Sequence, residues 1–212
     1  MLAPRLVLFA AVLAAVTFVL LAAHRFQHRI ASYDPTSFSE DRLFNLSVEG
    51  GFGERFELVL LLTCTLVAAD VAWRRRSRVF AVFAAIFLLA LADGSLGLHE
   101  RFGVAAGLAL GIHPDVAQLL WFAVLGAVLL AGIFAAYRRS SSDEQAASLL
   151  ILATLMMLGG FAVVVDAAQS TLNLPNLVED GGELATIAAL CFLMIAVRRT
   201  LPPLSDQVRA AS

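Results

Sequence analysis

Residues 78–101 read RVFAVFAAIFLLALADGSLGLHER. From Val79 to Ala92 there is no charge and no polar side chain. The run then closes on Asp93, Gly94, Gly97 and the triplet His99-Glu100-Arg101. A helix needs about 20 mostly apolar residues to cross a hydrocarbon core about 30 Å thick. The stretch 79–98 meets that length, and its reading as a membrane span decides the fold class. Working outward, five more stretches qualify, at roughly 6–23, 57–73, 115–137, 148–170 and 181–197. The expected architecture is all-α: one domain over 1–212, an integral membrane bundle of six transmembrane helices. The first apolar run, Leu6–Ala23, exceeds the h-region of a signal peptide, about 7–15 residues, and is read as a retained helix. The segment 24–56, with Pro35, Gly50, Gly51 and Gly53, is loop-like and too short for a separate domain.

Composition agrees. The chain has 212 residues, 60% hydrophobic and 15% charged, against about half and about a quarter in soluble domains. All 15 basic residues are Arg. Without Lys there is no retinal or pyridoxal (PLP) Schiff base and no P-loop lysine. A formal net charge of -2 argues against a nucleic-acid partner. No CxxC or CxxCH occurs, so neither a redox dithiol nor covalent haem is indicated. Cys64 and Cys191 read as small core residues.

The arginines set the orientation. Arg74, Arg75, Arg76 and Arg78 follow the second span, Arg138 and Arg139 the fourth, and Arg198 and Arg199 the sixth; Arg5 precedes the first. Both termini are therefore expected in the cytoplasm, with the chain in a bacterial inner membrane and lipid as its first partner. The cytoplasmic side then holds ten Arg and four acids, a net +6, and the outer side a net -8. Asp70, one turn before the arginine cluster, is expected to pair with it.

Carboxylates at the outer ends fall into two sets. Glu54, Glu57, Asp115, Glu179, Asp180 and Glu183 begin helices, where the macrodipole favours acids. Asp93, Glu100 and Asp166 end helices, where it does not. Asp93 lies about 20 Å along its helix from Phe80, which leaves it roughly 10 Å inside the outer boundary. Capping does not account for it on this reading, so it needs a partner in the bundle. Asp93 and Glu100, seven apart, share a helix face. Glu179 and Glu183, four apart, share another.

Asp93, His99, Glu100, Glu179 and Glu183 are thus candidate ligands for a divalent metal ion, with a water-activating membrane hydrolase as one consequence. His24 and His28, at i and i+4, together with Asp166, Asp180 and Arg101, are additional candidates. The competing readings are a carboxylate network paired with Arg101 in a non-enzymatic structural or assembly subunit, and a metal-free proton site. The stretch 102–112, FGVAAGLALGI, is too short to span. Gly103, Gly107 and Gly111 would let it pack closely as a short interfacial or re-entrant helix, an apolar loop being the alternative. Gly94-Ser95-Leu96-Gly97 is similar to the serine motif of rhomboid proteases, but the fifth and sixth spans contain no His to serve as base.

The pairing of Asp93, His99 and Glu100 with Glu179, Asp180 and Glu183 resembles a set of uncharacterised bacterial multi-pass membrane proteins. Those carry an Asp, then His-Glu at the end of one span, and an acidic pair followed by Glu at the start of a later one. This chain departs from their pattern at Gly94, where an acid is common, and in the gap before Glu183. The resemblance implies that the two motifs belong together; it implies no substrate.

Overall fold

A computed structural model describes residues 12–22, 51–161 and 176–201. Within them the chain is helical and has no strand. The helices are α1 (Val12–Ala22), α2 (Phe52–Arg75), α3 (Arg78–Leu96), α4 (Leu98–Leu110), α5 (Pro114–Tyr137), α6 (Ser142–Gly159) and α7 (Asn176–Thr200). Four are long and apolar enough to cross a membrane: α2, α3, α5 and, from Asp180 on, α7. These correspond to the second, third, fourth and sixth expected spans. The first and fifth lie only partly within the described residues, and both chain ends lie outside them.

The chain divides into two compact units, residues 1–60 with 151–196 and residues 61–150 with 197–212. In the first, Leu184, Leu190 and Met194 on α7 and Ile151 on α6 are fully buried. There the ring of Phe161 lies against α7 at Gly182, where an added Cβ would sit 2.3 Å from Phe161 Cδ1.

The second unit is centred on α3. Phe80, Phe83 and Phe87 are fully buried. Their ring centroids are 6.2 and 6.4 Å apart, a spacing that adjacent turns of one helix face produce. Helix α5 packs on α3 and α4, yet only 11% of its most apolar stretch is buried. Val124, Val128 and Phe134 point outward, which suits contact with lipid and not with water.

Two turns in this unit fix the placement of its polar side chains. Helix α2 ends in a Schellman motif, with Ser77 N–H donating to Ala72 O (3.0 Å) and Arg76 N–H to Trp73 O (3.4 Å). The left-handed residue of that motif is Arg76, at φ 52, where glycine is usual. Of the stretch 102–112, residues 102–110 are helical and Gly111, at φ 67, ends the helix. These residues belong to α4, whose buried Gly103 and Gly107 face the start of α5; a Cβ on Gly103 would lie 2.4 Å from Gln118 Cγ. His113 and Pro114 then start α5, His113 Nδ1 accepting from Asp115 N–H at 3.4 Å.

Candidate functional site

Asp93 is not placed as the sequence suggested. Helix α3 stops at Leu96 because Gly97 takes a left-handed conformation, φ 57 and ψ 45, and its N–H donates to Asp93 O at 2.8 Å. The same Gly97 is the N-cap of α4, and it has no side chain with which to cap. Asp93 supplies the missing acceptor. Its Oδ1 receives the His99 backbone N–H (2.9 Å), and its Oδ2 lies 2.9 Å from His99 Nδ1. An acid disfavoured at the end of α3 is favoured by the free amides at the start of α4. Capping therefore accounts for Asp93 after all, through the next helix in the chain and not its own. The break also separates Asp93 and Glu100, which stand on different helices and share no continuous face.

The pair is partly exposed, His99 at 29% and Asp93 at 22% of their side chains. The His99 ring tilts against Phe122 of α5, with centroids 5.3 Å apart. With Nδ1 engaged by Asp93, Nε2 is the ring atom left to accept a proton or a metal ion. A carboxylate that fixes the tautomer and orientation of an imidazole is the usual outer partner of metal-ligating histidines. Glu100 is exposed, and its Oε2 folds back to 3.4 Å from where a Gly97 Cβ would be. Arg101 is exposed and forms no ion pair among the described residues.

Carboxylates also gather in the first unit. Glu54 is in the opening turn of α2, as expected for a helix-start acid. Glu57, sixth in that helix, lies beyond the free amides and is half-buried. Its charge is opposed by those of Glu183 and Asp180 on α7 and by Glu54. In the sequence Glu57 reads as a helix-start acid; the structure places it past the first turn. The available signal was its position, since the macrodipole favours acids only in the first turn.

The candidates are thus divided between the units. Asp93, His99, Glu100 and Arg101 belong to one, Asp180 and Glu183 to the other. The side chain of Glu179, and His24, His28 and Asp166 entirely, lie outside the described residues. Among the described residues no three His, Cys, Asp or Glu side chains come close enough to share a metal ion. Cys64 and Cys191 are buried.

The arginine-rich helix ends carry ion pairs of their own. Asp70 meets Arg74 (2.9 Å), as expected, and also Arg198 (2.7 Å). Arg75 at the end of α2 meets Glu144 in the first turn of α6 at 3.1 Å, both side chains more than nine-tenths buried. Glu144 also accepts the Ser141 N–H (3.2 Å), half of a capping box.

No curated protein and no solved structure matches the chain. One family model does: residues 5–197 match the one described as Domain of unknown function (DUF8692), a range that takes in all six apolar stretches, and the chain belongs to that family.

Proposed function

We propose that this chain is a multi-pass protein of a bacterial inner membrane, with six spans and both termini cytoplasmic, whose outer helix ends hold a divalent cation through His99. The observation that carries the reading is the Asp93–His99 contact at 2.9 Å. It engages Nδ1 and leaves Nε2 as the ring nitrogen for a ligand or base role. In this reading Asp93 is a positioning residue and not a ligand, since both its oxygens are engaged. Glu100, in the same unit as His99, remains the carboxylate that would add to its coordination sphere.

A second reading rests on an equally specific observation. Asp93 does what a serine or aspartate at Gly97 would do for α4, so the pair also serves a non-enzymatic subunit that needs only a rigid joint.

Elemental analysis of the detergent-purified chain separates the two, with melting temperature recorded alongside. The metal reading expects about one divalent ion per chain in the wild type, lost in His99→Ala. A wild type purified without chelators that carries no metal, together with an Asp93→Ala variant of lowered melting temperature, leaves the joint.

A further inference from the structure

The turn between α2 and α3 and the turn between α5 and α6 flank an open cavity of about 610 Å³. Its lining includes Arg75, Arg76, Arg78, Arg139, Ser77 and Glu144. One carboxylate stands among four guanidiniums, and it is already committed to Arg75 and to the Ser141 N–H. Arg76, Arg78 and Arg139 are exposed and have no ion-pair partner among the described residues.

Ser77 supplies an independent observation. It is the N-cap of α3, yet its side chain makes no capping hydrogen bond. The residue is only 6% exposed, and its Oγ is buried with no hydrogen-bond partner. A buried hydroxyl without a partner is rare, and this one belongs to a residue at the wall of a cavity rimmed by arginines. Helices α3 and α6 both begin here, so their free N–H groups add to the positive potential. Of the four guanidiniums, that of Arg76 comes from a left-handed position that glycine would occupy without strain.

We propose that this cavity binds a phosphate group. Several planar guanidinium forks, a hydroxyl donor and helix N-termini together match the oxygens of a phosphate better than a single carboxylate. The source is either the headgroup of an anionic lipid or a free phosphate. The site is separate from the one proposed at His99 and does not rest on it.

The test uses the full chain in neutral detergent, with ionic strength matched by chloride. Inorganic phosphate is expected to raise the melting temperature of the wild type. Arg78→Gln and Ser77→Ala should each weaken phosphate binding by about tenfold, about 1.4 kcal/mol. Arg138→Gln should bind as wild type, because Arg138 stacks on Phe134 (5.7 Å) and does not line the cavity. Arg76→Gly guards against mere misfolding: it should melt higher than the wild type and still bind phosphate more weakly. The lipid arm measures phosphatidylglycerol retained through detergent washing. Retention by the wild type but not by Arg78→Gln assigns the site to a headgroup, and a phosphate response without it assigns the site to free phosphate. The proposal is overturned if neither probe distinguishes the wild type from Arg78→Gln.

Discussion

Glu144 and Asp93 each accept a backbone N–H at the start of a helix, and each also holds a basic side chain from elsewhere in its unit. Glu144 holds Arg75 at 3.1 Å; Asp93 holds His99 at 2.9 Å. The first pair is 5% and 9% exposed, the second 29% and 22%. Arginine stays charged at every pH a protein survives, whereas histidine can be neutral. Burial therefore makes the first contact obligatory. The second is partly solvated, so water can take over at either group if the contact opens. The comparison teaches that the same capping job, done in two settings, produces a fixed brace at one end of the unit and an adjustable contact at the other.

The largest effect is expected from breaking the brace. Glu144→Ala leaves the Arg75 guanidinium buried without its carboxylate and should destabilise by about 3–5 kcal/mol. Thermal unfolding in detergent would read this as a large drop, and an effect no larger than that of Asp93→Ala would refute the distinction. Asp93→Ala removes a cap and one side-chain contact and should lose about 1–2 kcal/mol. Asp93→Asn, which can still accept from the His99 N–H, should recover more than half of that loss. The smallest effect is expected at Asp70, whose ion pairs with Arg74 and Arg198 are about a third to a half exposed. Asp70→Asn should cost at most about 1 kcal/mol, and the loss should shrink as salt is added.

Some of this was legible in the linear chain, and the reason is locality. Asp70 and Arg74 are one helical turn apart, so their pairing follows from spacing alone. Asp115 after Pro114 announced a helix start. The four-residue spacing of Gly103 and Gly107 allowed a closely packed short helix or an apolar loop, and α4 is the helix. Other features depend on a backbone break or on distant partners. The reading of Asp93 and Glu100 as one face assumed a helix through Gly97, and a single left-handed residue cancelled it. Glu144 and Arg75 are 69 residues apart, and nothing local in either segment names the other. Nothing in the sequence around Ser77 singles it out; only its burial and unpartnered hydroxyl mark it.

By itself the sequence determined the helical class, the apolar lengths and the sided distribution of arginine expected in a membrane. Each of those depends on the transfer of side chains between water and lipid, which residue type and order largely specify. The tertiary structure decided which carboxylate serves which base, where α3 stops, and which arginines surround a cavity. Those outcomes hinge on the dihedral angles of a few turn residues, Arg76 and Gly97 foremost. A change of one conformational well there redirects every side chain beyond it in the chain.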